Sequence, residues 1–429
     1  MSRIPTGYKQ TEVGVVPEDW EVMKMGEITS LMTNGFVGTV KSHYADYDEG
    51  VLYIQGYNVE ENSFNFHGIK KVTQEFHHQH LKSCLREGDL LTVQTGDVGL
   101  TTIVPKELEG ANCHALIISR VKRETAFPLF LSLFLNSVQG RTNLKGIETG
   151  TTMKHINVGD MVRIPVPVPT LAEQTAIATA LSDADALIQA LEKLIAKKLA
   201  IKQGAMQALL TGKRRLGGFA SNGGKFKQTE VGEIPENWDA VPMCEVGESI
   251  IGLTYSPKNV REYGTLVLRS SNVQNGKLAF DDNVYVDMDL PSRVVVRKSD
   301  ILICVRNGSQ RLIGKCAIID ESAAGSAFGA FMAVYRTAYS NFIFYQFQSS
   351  IIQRQINEVM GATINQITNK DLANFQVVLP KDIEEQTAIA TVLSDMDAEI
   401  AALETRLAKY KQIKQGMMQN ILTGRIRLV

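Results

Sequence analysis

Apolar positions along the chain follow two rhythms, and each rhythm occurs twice. From Ile389 the residues Leu393, Met396, Ile400, Leu403, Leu407 and Tyr410 follow in alternating steps of four and three, the seam of a coiled-coil helix. The same spacing starts at Ile177 and continues through Leu181, Ala184, Ile188, Leu191 and Ile195. Pro169 and Pro380 block helix continuation upstream, no proline interrupts either seam, and Gly212 and Gly424 are stop signals. The pattern predicts helices over 173–210 and 385–422, each about 55–60 Å long. That length exceeds the core of a small domain, so each helix is expected to act as a spacer or a partner surface. The rest of the chain reads as mixed α/β with short strands: Leu52–Ile54, Asp89–Val93, Ala115–Ile118, Leu266–Leu268, Asp300–Cys304 and Cys316–Ile319. Phe127–Arg141 and Ser340–Val359 are the helical candidates.

The duplication extends beyond periodicity. Lys9-Gln-Thr-Glu-Val-Gly14 with Pro17-Glu18-x-Trp20 recurs as Lys227-Gln-Thr-Glu-Val-Gly232 with Pro235-Glu236-x-Trp238. Segments 173–216 and 385–428 are identical at 29 of 44 positions. Between these ends only landmarks survive: Gln55-x-x-Asn58-Val59 beside Arg269-x-x-Asn272-Val273, Asp89-Leu-Leu beside Asp300-Ile-Leu, and Gly150-x-Thr152 beside Gly361-x-Thr363. Each unit is therefore a variable globular part followed by a nearly fixed helix. The glycine-rich stretch Gly217–Gly224 reads as a flexible joint between them.

Composition narrows the classes. With 45 Lys+Arg against 46 Asp+Glu the 429-residue chain is close to neutral, so it is not a general polycation, and 44% apolar content suffices for real cores. The first residues lack the apolar core of a signal peptide. The longest apolar run, Phe127–Leu135, is about half of what a membrane span needs. Five cysteines without a Cys-x-x-Cys pair argue against a disulfide framework and a structural zinc site. A cytoplasmic location with no membrane partner is expected.

Catalytic motifs fail one by one. Gly308 to Gly314-Lys315-Cys316 has one residue too many between its glycines for a phosphate-binding loop, and Cys316 stands where a Ser or Thr must hold magnesium. His77, His78, His80 and Cys84 invite a metal reading, but the second unit has no histidine at all. Neither a Gly-x-Ser-x-Gly elbow nor the Asn/Asp-Pro-Pro-aromatic loop of amino-methylating enzymes occurs. Asp183, Asp185, Asp395 and Asp397 recur in both helices and are read as complements of the positive helix end. What remains is binding. Gln94-Thr95-Gly96-Asp97 and Arg306-Asn307-Gly308-Ser309-Gln310-Arg311 follow strands at equivalent places. Arg suits guanine and Asn or Gln suits adenine in base-edge readout. The candidate DNA contacts from these loops are Gln94, Thr95, Arg306, Asn307, Ser309, Gln310 and Arg311, with Lys154 beside the Thr152 landmark.

Two variable domains, each followed by a nearly identical helix carrying Glu-Gln-x-x-Ile-Ala, resemble the specificity subunit of a Type I restriction–modification enzyme. The likeness is strong in 5–20, 170–216, 227–238 and 381–428 and weak in the variable parts. It implies a non-catalytic reader of double-stranded DNA with two α+β target-recognition domains in tandem, their helices paired as an antiparallel coiled coil. It also implies two docked methyltransferase subunits that use S-adenosylmethionine, two motor-nuclease subunits, and no cofactor in this chain. The implied layout is an arm over 1–20, a first recognition domain over 21–169 and a central helix over 170–216. A linker and second arm over 217–238, a second recognition domain over 239–380 and a C-terminal helix over 381–429 complete it. Arg269, Asn272 and the loop from Asn307 to Lys315 match the family's recognition pattern, which adds Arg269, Asn272 and Lys315 to the DNA contacts. Ile177, Leu181, Ile188, Leu191, Ile389, Leu393, Ile400, Leu403 and Leu407 form a seam expected to be shared with, or extended by, partner helices. Two alternatives stay open: a specificity subunit of a related modification-dependent system, and a coiled-coil scaffold for proteins only.

Overall fold

A computed structural model of the chain describes residues 4–46, 49–151, 154–219, 224–360 and 365–428. It divides into two units, Met1–Glu192 with Thr405–Val429, and Lys193–Glu404. Thr152, Gly361 and Thr363 of the third landmark, and the middle of the glycine-rich joint, lie outside the described residues.

In the first unit a hairpin, Tyr8–Thr11 against Gly14–Pro17, precedes Glu21–Lys24, which pairs antiparallel with Pro165–Val168. The central sheet is antiparallel, in the order Thr101–Ile103, Leu90–Val93, Leu116–Val121, Thr29–Asn34. Because strand side chains alternate between faces, the nearly continuous apolar run at 90–93 serves two cores. Leu90 joins Trp20, Phe130 and Phe134 on one face, while Leu91 and Val93 join Ile54, Val59 and Leu116 on the other.

The second unit repeats this plan. Phe226–Thr229 pairs with Gly232–Pro235, and Trp238–Pro242 with Gln376–Pro380. Its sheet runs Glu248–Ile251, Met332–Arg336, Ile301–Cys304, Cys316–Ile318. Ile301 and Ile303 face the core containing Trp238, while Leu302 and Cys304 face the core of Leu268, Val294 and Phe328.

The two helical candidates are each broken once. Pro128–Asn136 and Val138–Gly146 meet at Ser137, and Ser340–Gln348 and Ser350–Val359 meet at Ser349. Both serines are extended, and the Ser137 hydroxyl caps the following helix by accepting the Gly140 N–H at 3.2 Å. A serine can satisfy a helix N-terminus from outside the helix, so an apolar periodicity that continues across it does not keep the backbone helical.

The long helices are Leu171–Leu209 and Ile383–Ile421, 39 residues each. In the first unit Lys414 pairs with Asp185 at 2.6 Å and Lys411 with Glu192 at 2.7 Å. In the second, Lys198 pairs with Glu399 at 2.6 Å, and Lys202 pairs with Asp397. Within each unit the numbering rises along one helix as it falls along the other, so the pairing is antiparallel. These contacts correct the reading of Asp185 and Asp397 as dipole complements. They sit several turns inside their helices, beyond the reach of the terminal dipole, and serve as interhelical ion pairs. Ile177 and Leu181 are fully buried in the first core, Ile389 and Leu393 in the second, and Ile188, Leu191 and Ile400 are buried too, with Leu403 and Leu407 half-buried. The chain itself buries most of the seam, and Leu403 and Leu407 are the positions it leaves partly open. Among the described residues no helix is long and apolar enough to cross a membrane.

Candidate nucleic-acid interface

Equivalent positions of the two units give a frame against which the loops can be judged. Asp89, almost fully buried, accepts from Nε and Nη2 of Arg120 at 2.9 and 2.8 Å and from the Arg86 N–H at 2.9 Å. Asp300 does the same with Arg336, at 2.8 and 2.7 Å, and with the Arg297 N–H at 2.8 Å. The carboxylate holds each guanidinium protonated by hydrogen bonding, pushing the Arg120 and Arg336 pKa further up. The recurring Asp is thus a structural anchor of the sheet.

The second landmark is structural as well. Asn58 accepts the Gln55 N–H at 3.1 Å and donates to the Asn65 carbonyl at 2.9 Å. Asn272 accepts the Arg269 N–H at 2.9 Å and donates to the Ala279 carbonyl, also at 2.9 Å. Both amides are fully buried, so Asn272, expected to touch DNA, instead fastens its own loop. Lys315 is likewise removed from the reading surface, because its ammonium is spent on the carbonyls of Ser270 and Val273. Gln94 is buried, with its carbonyl taking the Ile156 N–H. Arg269 is half-buried and committed to the Asp282 carboxylate at 2.8 Å.

The remaining candidates form two loops. In the second unit Arg306, Gln310 and Arg311 are exposed and Asn307 and Ser309 half-buried. Asn307 donates to the Ser270 hydroxyl at 3.0 Å and accepts the Ser309 N–H at 3.0 Å, which fixes the loop as it leaves the sheet. Arg306 bridges antiparallel to Gln366, and Thr95 occupies the same place in the first unit, bridging to His155. Thr95 is exposed, and Lys154 next to His155 is exposed and paired with Glu148 at 3.0 Å. The second unit therefore offers two exposed guanidinium groups on a braced loop, whereas the first offers a hydroxyl and a lysine.

Sequence reasoning missed a third recurring constellation. Trp20 donates to Glu173 at 3.1 Å, and Trp238 donates to Glu385 at 3.1 Å. Each fully buried carboxylate also takes a fork from an arginine near the end of the other long helix: Arg427 on Glu173, and Arg215 on Glu385. Gln174 and Gln386, next in the repeat, donate to the carbonyls of Pro169 and Pro380 at 2.8 Å. The signal was available: the chain's two tryptophans, and the Glu and Arg that meet them, occupy matching repeat positions. Among the described residues no group of three or more His, Cys, Asp and Glu could hold a metal ion. His77 instead bonds the Asn112 side chain, and the His80 ring stacks on Phe76.

Comparison with known proteins agrees with this duplicated plan. The family model described as Type I restriction modification DNA specificity domain matches residues 17–202 and again 235–415. The chain is 26% identical over 422 residues, 96% of its length and 94% of the relative's, to the type I restriction enzyme MjaVIII specificity subunit of Methanocaldococcus jannaschii. It is 29% identical over 204 residues, 46% of its length and 44% of the relative's, to the EcoKI specificity subunit of Escherichia coli. Among solved structures, the S subunit of a type I system from M. genitalium superposes with a TM-score of 0.57 at 15% identity. That match covers 94% of this chain and 96% of the other. A chain from a structure of a type I R-M system's assembly and conformational transition gives 0.56 at 19% identity, covering 96% and 99%.

Proposed function

The chain belongs to the Type I restriction modification DNA specificity family, as a recognition chain and not an enzyme, and from that premise we propose that its two globular units read different halves of one bipartite duplex target. The observation that carries this reading is the contrast between a fixed frame and a varied loop. The Trp–Glu–Arg constellation, the Asp–Arg anchor and the long helix recur nearly unchanged, while the loops at Thr95 and Arg306 differ in length and chemistry. A repeated surface binds the same partner twice, and a diverged one binds two different things. The repeated faces of the helices dock two copies of an adenine-N6 methyltransferase subunit, which supplies S-adenosylmethionine chemistry, and two motor-nuclease subunits join that assembly in the cytoplasm.

Base contacts come from Arg306, Arg311 and Gln310 in the second unit and from the surface around Thr95 and Lys154 in the first. Near-neutral net charge fits this division, because phosphate contacts can be supplied by the partners while base contacts specify. The test is methylation mapping in cells carrying the chain with its methyltransferase. One adenine-containing motif in two parts separated by unread bases is expected, and methylation without sequence preference would overturn the reading.

A further inference from the structure

The two units differ by one residue where the sheet meets the reading loop. In the first, the Phe36 N–H donates to the Cys113 carbonyl and the Gly35 N–H to that of Leu116, leaving His114 and Ala115 between. In the second, Leu253 donates to Phe328 and Gly252 to Met332, leaving Gly329, Ala330 and Phe331. Opposite this longer segment the chain bulges at Val305 and Arg306, whose N–H groups both donate to the single Phe331 carbonyl, at 3.0 and 3.1 Å. A bulge re-aims the side chains of its own strand, and here the Arg306 guanidinium lies over the ring of Phe331, which is 55% exposed, at 5.2 Å from the ring centroid.

Single exposed apolar side chains are ordinary on this surface, so what matters at Phe331 is the cation its ring supports rather than its exposure. Among the described residues no carboxylate pairs with Arg306, in contrast to Arg269, Arg120 and Arg336. Stacking occupies only the face of the guanidinium and leaves its in-plane N–H donors free, while restricting the rotamers of a long side chain. A pre-oriented, unpaired guanidinium fork matches the O6 and N7 acceptors of guanine.

We propose that Phe331 is a positioning residue that holds Arg306 to read a guanine in the second half of the target, and that the first unit, with Thr95 and Ala115 at these places, has no counterpart. The proposal rests on the DNA-reading function above and names its chemistry at one position.

The experiment uses the assembled complex with its methyltransferase and competes duplexes carrying each of the four base pairs at every position of the second half-site. Arg306→Ala should reduce discrimination at one G·C pair by about ten- to a hundredfold. Phe331→Ala should reduce it by about three- to fivefold at that pair alone, with the first half-site, the salt dependence and the melting temperature unchanged. Phe331→Tyr, which keeps the ring, should restore discrimination to within about twofold. Loss that is equal for all base pairs, with a flatter salt dependence, would make Arg306 a phosphate contact and overturn the proposal. Unchanged discrimination in Phe331→Ala would overturn the role of the ring. A wild-type complex without preference at any position would instead overturn the functional reading beneath it.

Discussion

Arg427 and Glu173 are 254 residues apart in sequence, yet the guanidinium binds the buried carboxylate through Nε and, at 2.8 Å, through Nη2. The first unit therefore contains the chain's last turn as well as its first strand. The second repeats the constellation with Arg215, which binds Glu385 at 2.6 Å through Nη2 and lies 5.7 Å from the Trp238 ring centroid.

Arg215→Ala leaves Glu385 buried and charged, paired only with the Trp238 N–H. The expected cost is about 3–5 kcal/mol. Each constellation holds one tryptophan, so single-tryptophan variants report on each unit separately. Denaturant titration should show the Trp238 transition moving to lower denaturant while that of Trp20 stays. Arg215→Met combined with Glu385→Gln, which removes both charges and keeps an acceptor for the indole, should recover most of the loss.

Asp19 separates the two units in acid. Hydrogen bonding to Arg427 holds its carboxyl below the usual 3.8, and Asn237 contacts Arg215 where Asp19 contacts Arg427. A depressed carboxyl contributes stability that is fully present above the unfolded value near 3.8 and lost as pH falls through the folded value. Asp19→Asn should flatten the pH dependence of the Trp20 transition below about pH 4 and leave the Trp238 transition alone.

Asn272 and Arg306, both read from sequence as DNA contacts, should behave oppositely. Asn272→Ala strips partners from a buried loop and should cost about 1–3 kcal/mol of stability, with the base preference of the surviving folded complex unchanged. Arg306→Ala should leave thermal unfolding unchanged and relax the second half-site. The measurement is a melting curve beside a duplex competition series for each variant.

The architecture was legible because it is periodic. The coiled-coil spacing and the tandem landmarks located both helices, and apolar runs located two of the four strands of each central sheet, while Thr29–Asn34, Thr101–Ile103, Glu248–Ile251 and Met332–Arg336 went unread. The candidate base-reading residues were less legible, since a buried Asn that caps a turn and an exposed Asn free to meet a base look alike in a linear sequence. Recurrence itself misled. Asn272 recurs as Asn58 because both fold the loop, whereas a residue that distinguishes two targets should differ between units, as Arg306 and Thr95 do. Phe331 was invisible because its place under Arg306 depends on one extra residue between Phe328 and Met332 and on a bulge at Val305 and Arg306, which only strand pairing reveals.

If the two globular units are separable readers, exchange of a single one shows it most directly. Residues 21–168 would be replaced by the corresponding segment of another specificity chain, keeping Trp20, Pro169, both long helices and 239–379. Methylation mapping of the chimera with its methyltransferase should yield the donor's half-site joined to the original second half-site. A motif in which both halves change together would contradict the account, because recognition would then belong to the whole assembly and not to each unit.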